Sequence, residues 1–138
     1  MKGTYNIVIF LKENSKIQIG SLGKIFFSKG YYLYVGSAMG ISGSATLINR
    51  VRRHLRNSNN KKLHWHIDYF LANSNSIIKK LYLIPSQHPY ECIIAQEIFV
   101  NADDYIKNFG SSDCQCKSHL FYFKRFSIFN SHFLGENI

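Results

Sequence analysis

Five side chains of this sequence carry groups that together can cleave a phosphodiester bond: Tyr5, Tyr34, Arg50, His54 and Glu91. Such a hydrolysis needs an activated water, a cation to hold the charge on the phosphorane, and stabilisation of the leaving oxygen. A carboxylate with one divalent ion, an arginine, and a tyrosine or histidine base supply these parts. A single tyrosine is more simply explained as a core aromatic, so the hypothesis depends on the five groups acting together.

Two segments with strand character carry the two tyrosines. The alternation of Gly3–Leu11 predicts a strand that has Tyr5 on one face. The aromatic and β-branched run Tyr31–Gly36 predicts a buried central strand that includes Tyr34, and it ends in small residues that allow close backbone approach. Two short strand-like runs lie between them with connections too short for crossovers, which predicts an antiparallel meander in which the two tyrosine strands can pair.

The arginine and the histidine belong to a predicted helix, Ala45–Asn57, where they lie four residues apart on one face. Ser44 or Thr46 can cap this helix at its N-terminus. The remaining positions divide into an apolar stripe of Leu47, Ile48, Val51 and Leu55, and a solvent side of Arg52, Arg53 and Arg56.

Further elements are predicted in the second half of the chain. Leu63–Ala72 fits a helix or a strand equally well, and Ile77–Ile84 has the character of a strand. Pro89 fits the first position of a helix that runs to about residue 100. Glu91 then lies in the first turn, where the helix dipole favours an ionised carboxylate.

The charge of the chain indicates a polyanionic partner. Lysine and arginine outnumber aspartate and glutamate by 17 to 8 in 138 residues, a net charge of +9, and neutralising phosphates favours binding through counterion release. The candidate nucleic-acid contacts are Arg52, Arg53, Arg56, Lys61 and Lys62. No apolar run approaches the length of a membrane span and the first residues lack a signal-peptide pattern, so we expect a single cytoplasmic domain without a membrane partner.

Several short motifs resemble a known family. Gly3-Thr4-Tyr5 and Tyr34-Val35-Gly36 are similar to the paired signatures of the GIY-YIG nucleases. The small Uri-type endonuclease branch gives the more detailed resemblance, over residues 3–123, with 124–138 as a C-terminal extension. The further segments that match this branch, in order, are residues 30–40 (GYYLYVGSAMG), 53–56 (RHLR), 64–69 (HWHIDY), 91–92 (EC) and 109–122 (FGSSDCQCKSHLFY). Residues 36–38 (GSA) and 49–54 (NRVRRH) resemble the strand exit and the catalytic helix of the whole family.

The resemblance implies an α/β (α+β) domain with a small three-stranded antiparallel central sheet, flanked by helices, and an extra short strand or hairpin. It also implies a metal-dependent endonuclease that uses one Mg²⁺ or Mn²⁺ ion, with DNA expected rather than RNA. Two alternatives of other classes are a non-catalytic nucleic-acid-binding module of the same fold and a zinc-stabilised interaction domain.

Carried onto this sequence, the resemblance implies a role for each of the five groups. Tyr34 would be the general base beside Tyr5, which positions the water, and Arg50 would hold the scissile phosphate. His54 would assist proton transfer or phosphate binding, and Glu91 would bind the metal ion, with Glu97 of the same helix as the alternative ligand. The small residues Gly36, Ser37 and Ala38 would leave room for the phosphate beside Tyr34. Supporting roles fall to His64, His66, Asp68 and Asp113.

The cysteines leave two interpretations open. Cys114, Cys116 and His119 could bind zinc with Cys92 as a fourth ligand, but this spacing departs from the usual finger pattern. Small buried thiols are the alternative, and the sequence favours it slightly. Residues 109–123, which contain three of the four side chains, are expected to form a turn-rich loop that enters a short aromatic strand.

Overall fold

The computed structural model describes residues 1–56, 62–112 and 114–125, which form an antiparallel sheet with helices packed on it. The expected α/β class with an antiparallel sheet is thereby confirmed. The strands are β1 (Gly3–Leu11), β2 (Ser15–Gln18), β3 (Lys24–Phe27), β4 (Gly30–Ala38), β5 (Ser76–Pro85), β6 (Asp104–Tyr105) and β7 (Leu120–Phe123). The helices are α1 (Leu47–Leu55), α2 (His66–Leu71) and α3 (Glu91–Asn101).

The main sheet of the described residues has the strand order β5-β1-β4-β7-β6, and all neighbouring strands are antiparallel. The expected pairing of the two tyrosine strands is confirmed: Tyr5 lies opposite Gly36, and Ile7 lies opposite Tyr34. The sheet has five strands instead of three, because the aromatic strand β7 pairs with β4 and carries β6 at its edge.

The expected meander is wrong, because β2 and β3 leave the main sheet and pair only with each other. This hairpin covers one face of the sheet, where Ile17, Ile19 and Phe27 join the buried core. Burying each such side chain contributes about 1.5–3 kcal/mol, so the hairpin is stabilised by packing on the sheet and not by strand pairing with it.

The alternation along β1 divides the core into two layers. One layer contains Tyr5 and Ile7 together with α1 and α2, and the other contains Val8 together with Ala95 and Ile98 of α3. Strand residues of period two therefore place α1 and α2 on one face and α3 on the opposite face.

The helix α1 begins after Thr46, whose side chain accepts a hydrogen bond from the Asn49 N–H at 3.4 Å, as one of the two predicted caps requires. The predicted apolar stripe is wrong at one position. Leu55 is 54% exposed, whereas His54 is only 2% exposed. The histidine faces the core because its Nε2 atom contacts the buried hydroxyl of Tyr5.

The other two helices settle the remaining predictions for the second half of the chain. The ambiguous segment 63–72 contains the short helix α2, and Ile77–Ile84 lies within β5. Pro89 does not begin α3: the first helical hydrogen bond runs from the Ile94 N–H to the Tyr90 carbonyl, so the helix begins at Glu91. Glu91 is in the first turn, as predicted.

No helix of the described residues is long and apolar enough to cross a bilayer.

Candidate active site

Four of the five expected side chains line one open cleft of about 360 Å³. They come from four elements that are distant in sequence: Tyr5 from β1, Tyr34 from β4, Arg50 from α1 and Glu91 from α3. The rest of the lining consists of Ser37, His64, Trp65, His66, Gly110 and Ser112. A phenol pair, a guanidinium and a carboxylate therefore face one solvent-accessible space.

The fifth expected residue, His54, lies directly behind Tyr5. The Tyr5 hydroxyl is 2.6 Å from His54 Nε2, and both side chains are almost fully buried. Burial raises the pKa of Tyr5 well above its ordinary value, and the neighbouring Tyr34 adds to the shift, while Arg50 opposes it. Tyr5 is therefore a neutral phenol at physiological pH, and a neutral phenol can donate its proton to Nε2.

Asp68 stands behind this pair and orders the elements around it. Its two carboxylate oxygens accept hydrogen bonds from Arg53 at 2.8 and 2.9 Å, and one of them also accepts the backbone N–H groups of His64 and Trp65. Burial alone would raise the pKa of Asp68, but these hydrogen bonds and the Arg53 charge bring it below its ordinary value. Its Oδ1 lies 3.9 Å from His54 Nδ1, on the side away from Tyr5.

The bond to Asp68 corrects the expectation for Arg53. This side chain was expected on the solvent side of α1, but it is only 16% exposed and also donates to the Lys62 carbonyl at 2.7 Å. A guanidinium held by a carboxylate and a carbonyl joins α1 to the segment that leads into α2. Asp68 is not in the lining of the cleft, so its contribution there is to position His64, Trp65 and His54.

Gly36 corrects the expectation that small residues leave room for a phosphate. A Cβ at this position would overlap the ring and hydroxyl of Tyr5, which lies opposite it in the sheet. The space that the missing side chain provides is therefore filled by the Tyr5 phenol. Of the two residues that follow, Ser37 lines the cleft, while Ala38 is fully buried.

Arg50 is held in place by two contacts that leave some of its N–H groups available to a ligand. One terminal nitrogen donates to the Ser37 carbonyl at 3.1 Å, and the guanidinium carbon lies 4.7 Å from the centre of the Trp65 ring. The Nε atom is buried and has no hydrogen-bond partner among the described residues. An anion in the cleft can accept the remaining N–H groups, since planar guanidinium groups match phosphate oxygens well.

Glu91 reaches the cleft because it is the first residue of α3, a helix whose buried residues pack on the opposite face of the sheet. Its side chain is 23% exposed, and Oε2 lies 3.3 Å from Nδ1 of the buried His119. Glu97 is exposed and does not line the cleft. Among the described residues that line it, Glu91 is the only carboxylate.

The two histidines with expected supporting roles differ in their surroundings. His66 Nδ1 accepts the backbone N–H of Gly110 at 2.8 Å, and burial lowers the pKa of its ring, so it holds this loop as a neutral imidazole. His64 is exposed at the rim of the cleft beside the Trp65 ring. The third candidate of this kind, Asp113, lies outside the described residues.

The basic surface of α1 lies beside the site. Arg52 and Arg56 are exposed and line a surface groove with Arg53, Gly43, Ser44 and Asn49. Lys62 is also exposed, while Lys61 lies outside the described residues. The groove is bordered by the one-turn helix Gly43–Ala45, so the loop between β4 and α1 contributes to the same surface.

The structure brings together all four side chains of the candidate zinc set. One ligand atom from each of Cys92, Cys114, Cys116 and His119 lies within 4.8 Å of the others, so the cluster can hold a metal ion. The alternative of small buried thiols is wrong, because Cys92 is exposed and the other two are half-buried. Cys92 is distant in sequence from the other three residues, and the packing of α3 brings it beside them.

Two contributions to the site were not expected from the sequence. The Trp65 ring lies under the guanidinium groups of both Arg50 and Arg53, at 4.7 and 4.5 Å. His119 was expected only as a zinc ligand, yet it contacts Glu91. The motif at residues 64–69 includes Trp65 but predicts no role for it. Nothing local in the sequence connects His119 with Glu91.

Comparison with known proteins identifies a family for almost the whole chain. Residues 4–134 match the family described as "Domain of unknown function DUF123", and the chain belongs to this family. No curated protein and no solved structure matches the chain. The description of the family assigns no activity.

Proposed function

We propose that this member of the DUF123 family is a metal-dependent endonuclease that hydrolyses phosphodiester bonds of nucleic acid, with DNA as the expected substrate. The observation that carries the proposal is the meeting of Tyr5, Tyr34, Arg50 and Glu91 in one open cleft. The resemblance of the sequence to the GIY-YIG nucleases, and to the Uri-type branch in particular, supports the choice of this reaction for these groups. The cytoplasmic location expected from the sequence stays a prediction.

The scissile phosphate is proposed to bind against Arg50. The guanidinium is already fixed by the Ser37 carbonyl and the Trp65 ring, while its Nε lacks a partner among the described residues. A preorganised donor of this kind costs little reorganisation when negative charge develops on the phosphorane. Arg50 thereby supplies both binding and transition-state stabilisation.

The attacking water is proposed to bind at the two phenols. Tyr34 is the candidate general base, and Tyr5 orients the water. The contact between Tyr5 and His54 supports a second path: the water gives a proton to the Tyr5 oxygen while the Tyr5 proton passes to His54 Nε2, 2.6 Å away. Asp68, 3.9 Å from His54 Nδ1, favours the imidazolium that this transfer creates.

Glu91 is proposed to hold one Mg²⁺ or Mn²⁺ ion. A carboxylate oxygen is the ligand that such hard ions prefer, and they usually keep several waters and bind substrate phosphate oxygens as well. Glu91 fits this use because it is partly exposed and faces the same cleft as Arg50. The ion would neutralise phosphate charge and stabilise the leaving oxygen.

The arginine groove beside the cleft supports nucleic acid as the substrate class. Arg52, Arg56 and Lys62 are exposed cations, and the loop residues Gly43 and Ser44 border the same groove. Contacts of this type position a sugar-phosphate backbone without reading its sequence. A polymer bound along the groove would continue past Arg50 on the same helix.

The proposal is tested by incubating the protein with single-stranded, duplex and branched DNA and with RNA, in Mg²⁺, Mn²⁺ or chelator. Metal-dependent cutting is expected, with a loss of about 100-fold or more in Glu91→Ala and Arg50→Ala, the range for removing one essential electrostatic group. Glu97→Ala is the matched control, because it removes an exposed glutamate of the same helix that does not line the cleft.

Tyr34→Phe and His54→Gln separate the two proton paths. A loss confined to Tyr34→Phe supports Tyr34 as the base, whereas a larger loss in His54→Gln supports the path through Tyr5. Binding of every substrate with no cutting under any condition would contradict the nuclease and leave the non-catalytic binding module. Loss of cutting in Glu97→Ala but not in Glu91→Ala would show that the metal ligand is misassigned.

A further inference from the structure

The thiol cluster consists of Cys92, Cys114, Cys116 and His119. It brings together two parts of the chain that otherwise belong to different layers. Cys92 is in the first turn of α3, while Cys114, Cys116 and His119 precede β7. Cys114 Sγ lies 3.6 Å from His119 Nε2. Four ligands at usual zinc bond lengths in a tetrahedron are separated from one another by roughly 3.5–3.8 Å, so this distance is already that of a zinc site.

We propose that Cys92, Cys114, Cys116 and His119 Nε2 bind one zinc ion. Three sulfur ligands and one imidazole are a soft set that suits zinc and disfavours Mg²⁺. Four protein ligands fill the coordination shell, so the ion is structural and holds no substrate. It is therefore distinct from the Mg²⁺ or Mn²⁺ proposed at Glu91, which faces the cleft.

The position of His119 is fixed before any metal binds. Its side chain is fully buried, its backbone N–H donates to the Phe109 carbonyl at 2.8 Å, and its carbonyl accepts the Val35 N–H at 2.9 Å. These two backbone hydrogen bonds thus hold His119 so that Nε2 faces the three thiols. A preformed ligand of this kind reduces the ordering that metal binding requires.

The second nitrogen of His119 connects the zinc site with Glu91. Nδ1 lies 3.3 Å from Glu91 Oε2 and has no well-formed hydrogen bond among the described residues. With zinc on Nε2, the imidazole carries its proton on Nδ1, which is then a donor facing that carboxylate. Histidine ligands of zinc commonly donate their other N–H to a carboxylate in this way.

The zinc ion therefore has two effects. It ties the N-terminal end of α3 to the segment before β7, and it holds the Glu91 carboxylate at the end of the cleft. The positioning of Glu91 for catalysis rests on the proposed nuclease function, whereas zinc binding and the contact with Glu91 do not.

Metal content and a cobalt spectrum test the site on the full chain purified under reducing conditions. About one zinc ion per chain is expected for the wild type, and far less for Cys92→Ser and Cys116→Ser. Replacing zinc with Co²⁺ in the wild type is expected to give the intense thiolate-to-cobalt charge-transfer absorption and the visible bands of a tetrahedral site. His88→Ala, at an exposed histidine shortly before α3, is the control and should keep both signals.

Cys92→Ser also guards against a variant that merely fails to fold, because this residue is exposed and its substitution leaves the core intact. Wild-type chain that is folded, free of zinc and without a cobalt charge-transfer band would overturn the proposal. So would a disulfide between two of the three cysteines in the reduced, freshly purified protein.

The contact between His119 and Glu91 is tested without any nuclease assay. Competition with a zinc chelator is expected to show about 10-fold weaker zinc binding in Glu91→Gln, the lower end of the range for removing a carboxylate behind a ligating histidine. Glu97→Gln is the matched control on the same helix and should bind zinc as the wild type does. Equal affinities of all three proteins would contradict the link, and zinc binding without cutting would remove only the proposed activity.

Discussion

At the scale of single residues, the geometry of Tyr5 is decided by what lies opposite and behind it. Gly36 leaves the space that the phenol ring fills, and the Tyr5 hydroxyl lies 2.6 Å from His54 Nε2. Neither residue needs to touch a substrate for its replacement to disturb the cleft. The two predictions that follow separate the steric contribution from the polar one.

Gly36→Ala is expected to displace the Tyr5 ring and to lower the free energy of unfolding by about 1–3 kcal/mol, the usual cost of overpacking. Urea unfolding measures this loss. The same substitution in a Tyr5→Ala background should cost much less, because the ring that the new Cβ would overlap is gone. Additive effects in this double-mutant cycle would show that the two residues do not share the space.

Tyr5→Phe keeps the ring and removes only the hydroxyl, which leaves His54 Nε2 buried without the bond seen here. The free energy of unfolding is expected to fall by about 1–2 kcal/mol, because the hydrogen bond between two buried polar groups is lost. Thermal or urea unfolding provides the measurement. Tyr90→Phe, at an exposed tyrosine outside the cleft, is the control and should be neutral.

At the scale of elements, the Asp68 carboxylate fixes α2 against α1. Arg53 comes from α1, while the backbone N–H groups of His64 and Trp65 come from the turn that begins α2. A short helix of six residues is not stable by itself, so this carboxylate and the burial of Ile67 and Phe70 keep it in place. The same turn positions Trp65 under Arg50.

The lowered pKa of Asp68 predicts a specific loss of stability in acid. Because the folded-state pKa is below the unfolded one, the stabilisation is fully present above the ordinary carboxyl pKa and disappears as the pH falls through the folded value. Asp68→Asn is expected to lower the free energy of unfolding by about 3 kcal/mol at neutral pH, the lower end of the range for breaking a buried ion pair. The difference from wild type should narrow as the pH falls below the ordinary pKa of a carboxyl group.

Urea unfolding at a series of pH values, from neutral into the acid range, provides the measurement. Asp104→Asn, at an exposed aspartate of β6, is the matched control and should follow the wild-type pH dependence. A wild type and an Asp68→Asn variant with parallel pH profiles would contradict the proposed contribution of the carboxylate.

At the scale of the whole molecule, part of the positive charge lies where it can act together with the cleft. The exposed arginines of α1 line a groove on the helix that also carries Arg50 and His54. Each phosphate that such a surface neutralises releases counterions, so binding should weaken steeply with salt.

Arg52→Gln combined with Arg56→Gln is expected to weaken nucleic-acid binding uniformly across sequences. The slope of log affinity against log salt should become shallower by about 1 for each phosphate that the variant no longer neutralises. Fluorescence anisotropy at several salt concentrations measures both quantities. Lys24→Gln combined with Lys79→Gln removes the same charge from exposed positions on β3 and β5, outside this groove, and should change the slope less.

Local patterns of residue type in the sequence determined a large part of the secondary structure. The strands β1, β3 and β5, the cap at Thr46 and the place of Glu91 in its helix all follow from side-chain periodicity and backbone preferences over a few residues. The set of chemical groups is likewise a property of the sequence, and so is the resemblance that suggested a use for them. The pairing of β1 with β4 was also predicted, although the meander from which it was predicted does not form.

Tertiary structure alone decided which of these groups face one another. Helix periodicity allowed Leu55 to be buried, but the Tyr5 hydroxyl places His54 in the core instead. Only the contact with Asp68 distinguishes Arg53 from its exposed neighbour Arg52. The resemblance favours Glu91 over Glu97, but only the packing of α3 determines which of the two lines the cleft. The four candidate zinc ligands can be named from the sequence, but only the packing of α3 near the segment before β7 brings them together. Such choices depend on contacts between distant segments, whose distances and directions local sequence does not encode.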